Sequence, residues 1–320
     1  MPHDPHHWAL ILAGGEGTRL RELTRTRAGI SVPKQFCSLT GGSSLLHDAL
    51  RRAAAIAPTE RTCVVVTAQH ERWWRPQLSA LPPRNIIVQP GTRGTAMGIL
   101  LPLLAIARRD PHATVLVLPS DHFVRDESLL AVSIEKAMSS ASSARDWIVL
   151  VGIEPDEADT ELGYIIPSQT WSCDPCKVGE FLEKPNVTEA RLAIMQGGLW
   201  NSFIFAASAR ALLQMFHELH PGLVSQLSLL ERAIAGREAS EADLAEMLET
   251  VPPLDFSTDV LQRCPEHLRV LRAPACGWSD LGTPRRVAQV LNSDFLQHGQ
   301  SGTNEHFPLN RINLTSRHAQ

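Results

Sequence analysis

The chain is short of lysine. Only four of its 30 basic residues are lysines (Lys34, Lys136, Lys177 and Lys184), and arginine supplies the rest. It has no basic excess either: 30 Lys+Arg stand against 34 Asp+Glu, a formal charge of −4. That balance argues against nonspecific nucleic-acid binding. No apolar run approaches the ~20 residues that span a bilayer, and the longest, 99–107, is interrupted by Pro102. The opening residues MPHDPHHWALILAGG lack a basic n-region and a full apolar h-region, so no secretory signal is expected. Cysteine is sparse, six in 320 residues. This excludes a disulfide framework and makes the reducing cytoplasm the expected compartment. No repeat of fixed period appears, and no hexapeptide series of the kind that builds a β-helix.

What is present is ordinary globular sequence, 43% hydrophobic and 20% charged, able to bury a sizeable core. Short β-branched runs at 8–13, 62–67, 85–89, 114–118 and 147–153 predict strands. Amphipathic stretches at 44–56, 71–80, 95–109 and 129–143 predict the helices between them. Near-continuous apolar strands alternating with helices imply an α/β fold, a mostly parallel sheet covered on both faces. The second half is more mixed, with strands expected at 176–182, 199–206 and 268–273 and helices at 189–196, 209–217, 223–235 and 241–249. The stretches from 209 to 249 read as core packing that could also supply a homodimer surface. From Ser293 onward the chain is polar and aperiodic, and 293–320 is expected to be a tail.

Two lysines adjoin proline, in Pro33-Lys34-Gln35 and Glu183-Lys184-Pro185. An ammonium on a flexible stem is a different tool from arginine's planar fork, which makes both candidates for function. The first predicted strand runs into Ala13-Gly14-Gly15-Glu16-Gly17-Thr18-Arg19. Glycines there allow backbone N–H groups to approach a phosphate or base, although a tight turn is the plainer reading. A dinucleotide fingerprint starting at Gly15 would need a third glycine where Leu20 stands. A Walker loop would need Gly-Lys, which occurs nowhere in the chain.

Behind this turn follow PKQF at 33–36, QPGTRGTA at 89–96, PSDH at 119–122 and ELGYI at 161–165. EFLEKP at 180–185, LWNS at 199–202, FSTD at 256–259 and GWSDLG at 277–282 complete the series. In this order the segments resemble the sugar-1-phosphate nucleotidyltransferases, and among them the mannose-1-phosphate guanylyltransferases, over roughly 8–292. The resemblance implies a Rossmann-like nucleotidyltransferase fold, glycosyltransferase-A-like, without a C-terminal β-helix. The catalytic domain would cover 1–292, with a nucleotide half at 8–153 and a sugar-phosphate half at 154–292. The implied enzyme joins a nucleoside triphosphate, GTP for this subgroup, to a sugar-1-phosphate and releases pyrophosphate. The alternatives are the same reaction with another base or hexose, and a noncatalytic nucleotide-sugar binder on the same fold.

The implied reaction brings two polyanions together, so its site needs cations, backbone donors and a metal. Arg19 and Lys34 would meet the triphosphate. Asp121, past the end of an apolar strand, and Asp280 in GWSDLG would hold Mg²⁺, a hard cation suited to carboxylate and phosphate oxygens. Asp121 also reads as a helix N-cap and Asp280 as a turn aspartate. The base and ribose would meet Leu12, Ala13, Gly14 and Gly15 on one side, Gly94 and Thr95 on the other. Gly94 would let backbone approach the base, and Thr95 would cap the next helix. Lys184 would grip the acceptor phosphate, Glu183 and Asn201 would take hydroxyls, Gly163 would offer backbone, and Asp259 would sit beside acceptor and metal. Three residues depart from the guanylyltransferase pattern: Gln89 stands for glutamate, Gly94 for asparagine, and Phe203 for a frequent glycine. His122 reads as a hydrogen-bonded core or turn histidine, and Gln35 as loop packing. Cys173-Asp-Pro-Cys176 lacks a second pair at zinc-ligand spacing.

Overall fold

The structure, a computed structural model, describes residues 3–26, 29–38, 42–169, 171, 173–236 and 240–298. Its first half alternates strand and helix as β1 (His7–Leu12), α1 (Leu45–Ala54), β2 (Thr62–Thr67), α2 (Glu71–Gln77) and β3 (Ile86–Gln89). Then come α3 (Gly94–Arg109), β4 (Thr114–Pro119), α4 (Glu127–Ser143) and β5 (Ile148–Ile153). The second half holds β6 (Tyr164–Pro167), β7 (Cys176–Leu182), α5 (Val187–Met195), β8 (Leu199–Ser208) and α6 (Ala209–Leu219). It closes with α7 (Pro221–Ala235), α8 (Glu241–Thr250), α9 (Phe256–Asp259), β9 (Leu268–Arg272) and α10 (Pro284–His298).

All nine strands join one sheet in the order β3-β2-β1-β4-β8-β5-β9-β7-β6. Pairing is parallel from β3 to β4 and between β5 and β9, and β8 runs antiparallel to both β4 and β5. The mixed α/β fold expected from the sequence is the one found. Side-chain alternation explains its two layers. Trp8 and Leu10 of β1 enter one core with α3, α6 and α7. Ala9 and Ile11 enter the other, with α1, α2 and α4. Because both faces are covered, every residue of β2 and β4 is buried.

Three elements were not anticipated. The strand β6 is only four residues long and α9 a single turn, too short for periodicity to register. The last helix, α10, runs past position 293 to His298, so the change to aperiodic polar sequence does not mark its end. Residues 299–320 of the expected tail lie outside the described residues. No described helix is long and apolar enough to cross a membrane.

The central strand β8 is bulged. Leu150 pairs with Phe205, whereas Gly152, two residues on, pairs with Asn201. Within the bulge the Ser202 hydroxyl donates to the Val151 carbonyl at 2.5 Å and accepts from Ile204 N at 3.1 Å, replacing interrupted ladder bonds. Phe203 sits here at φ +58° and turns into the cavity described below. Gly152 has no room for a Cβ, which would lie 2.6 Å from Leu199 Cδ1 and 3.0 Å from Val270 Cγ2. Gly152→Ala is therefore expected to destabilise the protein by about 1–3 kcal/mol through overpacking. A lowered urea midpoint at unchanged m would show it, and an unmoved midpoint would mean the strands yield there.

Candidate active site

In a parallel sheet the carboxyl ends of the strands face the ligand crevice. Here the ends of β1 and β4 open onto two adjoining cavities of about 330 and 340 Å³, which share Asp121, His122 and Phe203 as their common wall. The first lobe carries Arg19, Lys34, Gly163, Glu183, Lys184, Asn201 and Asp280. The second carries Leu12, Gly14, Gly15, Gly94 and Thr95.

At the junction Lys34 reaches in from a short 3-10 turn, Lys34–Phe36, preceded by Pro33. Its Nζ stands 3.0 Å from Asp121 Oδ2 and donates to the Asp280 carbonyl at 2.7 Å. Only 13% of this side chain is exposed. The two acidic loops are clamped by paired backbone bonds, Phe123 N to Ser279 O and Ser279 N to Phe123 O, both 2.9 Å. Burial alone would raise the Asp121 carboxyl; the Lys34 ammonium beside it overcomes that and holds it below the usual carboxylate range.

Asp280 is held differently. Its Oδ1 is buried with no hydrogen-bond partner, 3.6 Å from Arg286 Nε. Arg286, itself 6% exposed, spends its hydrogen bonds on Asp159 Oδ2, at 3.0 and 2.6 Å, and lies over the Trp200 ring. It thus supplies charge to Asp280 without occupying its lone pairs. A buried carboxylate oxygen with no donor suits a hard cation. Among the described residues no group of three or more His, Cys, Asp or Glu could by itself hold a metal. The fit is therefore to an ion such as Mg²⁺ that takes most of its oxygens from phosphates and water.

His122 is a packed histidine. Its Nδ1 accepts from Trp278 Nε1 at 3.2 Å, which leaves the ring proton on Nε2. Burial pushes its pKa down to about 4, so the ring is neutral.

The glycine turn is braced by the residue next to Lys34. Gln35 is buried, and its Nε2 donates to the carbonyls of Ala13 at 3.1 Å and Gly15 at 2.7 Å. Gln35 therefore fixes the turn rather than only filling space. Ala13 itself belongs to the core and lines neither lobe. Arg19 is half exposed at the cavity mouth, where its Nη1 pairs with Glu161 Oε2 at 2.8 Å. Glu183 is largely buried against Gly163, whose Cβ would lie 2.6 Å from Glu183 Oε2. Burial raises the Glu183 carboxyl, and Lys184, at 3.5 Å, only partly opposes it.

Gly94 lines the second lobe, and packing also demands glycine there: at φ +83° a Cβ would meet Leu254 O at 2.0 Å in the crossing 254 segment. Two expectations are corrected. Thr95 does not cap α3, because it already lies inside the helix; its hydroxyl accepts from Phe256 N at 2.7 Å and donates to Asp255 Oδ2. Asp259 lines neither lobe, since its Oδ2 accepts from Asp255 N at 2.7 Å and closes its own helical turn. The acidic residue that joins Asp121 on the second lobe is Asp255. Neither Asp255 nor Arg286 lies in a motif position the resemblance pointed to, and an isolated charged residue gives no local signal. Backbone strain does mark the site: Lys184, Phe203 and Leu281, the non-glycine residues with positive φ among those described, all line the first lobe.

This crevice, between the glycine turn and the acidic loops, is a strand-end site of an α/β fold lined by both cations and carboxylates. The chain belongs to the nucleotidyl transferase family, whose model matches residues 8–295. It is 31% identical over 292 residues to the mannose-1-phosphate guanylyltransferase of Salmonella muenchen, covering 89% of this chain and 59% of that protein. The mannose-1-phosphate guanylyltransferase of Escherichia coli K12 is 30% identical over 293 residues, 86% of this chain and 58% of its own length. The chain thus spans less than two thirds of these relatives. The structure of mannose-1-phosphate geranyltransferase from Thermus thermophilus superposes with a TM-score of 0.76 at 30% identity, covering 89% of this chain and 79% of that one.

Neutral, buried His122 has a consequence for stability. Between its ordinary value of 6.5 and about 4, the unfolded chain binds a proton that the folded chain does not. Stability from this group is therefore complete above pH 6.5 and is lost as pH falls towards 4, by about 3 kcal/mol at most. In magnesium-free buffer, urea denaturation of His122→Gln should lose less stability between pH 7 and pH 5 than the parent. Equal losses would mean that His122 charges inside the fold.

Proposed function

We propose that this protein transfers a nucleoside monophosphate from a nucleoside triphosphate to a sugar-1-phosphate, releasing pyrophosphate, with GTP and mannose-1-phosphate as the substrates. The observation that carries the reading is the convergence of Lys34, Asp121 and Asp280 where two cavities of substrate size meet. The names of the relatives at about 30% identity support the choice of nucleotide and sugar.

In this reading the base and ribose occupy the second lobe and the acceptor the first, so both reacting groups meet at the shared wall. Lys34 places its charge beside the triphosphate. Arg19 exchanges Glu161 for the departing phosphates; an exposed ion pair is worth only about 0–1 kcal/mol, so the exchange costs little. Lys184, on the first lobe, grips the acceptor phosphate, while Glu183 and Asn201 read hydroxyls beside Gly163. Asp121 and Asp280 would hold Mg²⁺, which when bound neutralises phosphate charge. Orientation and charge compensation are the main tools available for such a transfer.

One observation favours a second reading, the same reaction with another base. Gln89 is buried in the wall of the second lobe, and its Nε2 has no hydrogen-bond partner. A neutral amide presents both a donor and an acceptor, whereas a glutamate would present acceptors alone to the N–H groups of guanine. Pyrophosphate release from four nucleoside triphosphates against several hexose-1-phosphates separates the readings. Highest turnover with GTP and mannose-1-phosphate is expected; another preferred pair would move the assignment within the family, and no release from any pair would remove it. Lys34→Ala and Asp280→Ala should each lower turnover about 10²–10³-fold. Lys184→Ala should weaken the apparent affinity for the sugar phosphate and spare that for the nucleotide.

A further inference from the structure

The cysteines are of two kinds. Cys37, Cys63, Cys264 and Cys276 are buried. Burial pushes the Cys37 thiol up to about 12 and the Cys63 thiol to about 11, and raises those of Cys264 and Cys276. Such thiols stay protonated and inert. Cys173 is exposed, and its Sγ stands 3.0 Å from the Sγ of Cys176, the first residue of β7. The Cys176 thiol in turn donates to the Cys173 carbonyl.

The surroundings favour chemistry at this pair. A cavity of about 210 Å³ opens beside it, lined by Ser168, Gln169, Cys173, Cys176 and Lys177, none of which lines either lobe of the candidate active site. Arg269 lies within electrostatic reach of Cys173. It is held in place over the Trp147 ring and by its donation to the Leu268 carbonyl at 2.8 Å. Cys173 is the sulfur that a disulfide in solution can reach, which makes it the attacking one of the pair. Among the described residues no third His, Cys, Asp or Glu joins the pair to make a metal-binding group. The arrangement is a two-sulfur one.

We propose that Cys173 and Cys176 form a reversible dithiol–disulfide site that reacts with small-molecule disulfides of the glutathione type. The Cys173 thiolate attacks one sulfur of the oxidised molecule, a mixed disulfide forms, and one small thiolate leaves. Cys176 gives its proton to solvent and attacks Cys173 Sγ, and the second small thiolate leaves. The protein loses two electrons and two protons, and the small disulfide becomes two thiols. The sulfurs need to close from 3.0 Å to the ~2.05 Å of a disulfide, a movement the exposed Cys173 can make.

The test equilibrates the full chain with a series of ratios of oxidised to reduced glutathione, quenches with acid, alkylates the remaining thiols and maps the peptides by mass spectrometry. Alkylation should be lost from Cys173 and Cys176 together, with a mass decrease of about 2 Da restored by dithiothreitol. The other four cysteines should keep their thiols. In Cys173→Ser, Cys176 should remain alkylatable at every ratio. The proposal is overturned if both sulfurs stay reduced at the most oxidising ratio. It is equally overturned if Cys173 stops as a glutathione adduct beside a free Cys176 thiol, or if Cys176 oxidises as readily without Cys173.

Discussion

The cavity depends on one ammonium group. Asp121 and Asp280 come from loops after different strands and open onto the same space, which like charges resist. Lys34 changes the sign of that interaction by pairing with the Asp121 carboxylate and donating to the Asp280 backbone. In a partly desolvated site each such contact is worth more than it would be in water. The same turn has two further tasks. Its next residue, Gln35, ties down the carbonyls of Ala13 and Gly15, and its backbone packs so closely on Gly17 that a Cβ there would lie 3.1 Å from Lys34 N. The glycine turn and the lysine turn therefore hold each other in place.

Strain gathers where this arrangement faces ligand. Left-handed backbone at a non-glycine residue costs on the order of 1–3 kcal/mol. The described chain accepts it at Lys184, Phe203 and Leu281, all on the first lobe. At Phe203 the conformation falls within the bulge in β8, and its ring lines the first lobe. Arg286 performs the opposite task. By pairing with Asp159 it joins α10 to the loop ahead of β6, and its charge steadies Asp280 from behind. The loop with Glu161 and Gly163 and the loop with Asp280 are thus mechanically linked.

Much of the fold was legible because burial imposes period on sequence. The strands β1, β2 and β4 have apolar interiors without alternation since the sheet is covered on both faces, and helices such as α1 and α6 show their buried stripes. The short β6 and α9 fall below the length at which a period can be counted. Strand direction was harder to read: β8 runs antiparallel between β4 and β5, a matter of chain path rather than of residue pattern.

The candidate site divides in the same way. Motif residues gather on two cavities, yet several of their contacts differ from those the motifs suggest. Gly94 makes room for Leu254, Thr95 binds the 255–256 segment, and Asp259 turns back onto its own helix. Residue order by itself determined the alternation of strand and helix and the inventory of charged groups, because both follow from neighbours within a turn or two. Only the folded chain decided which groups meet. Lys34 and the carbonyl it binds are 246 positions apart, and a contact across that distance is set by how loops pack, not by anything local to either residue.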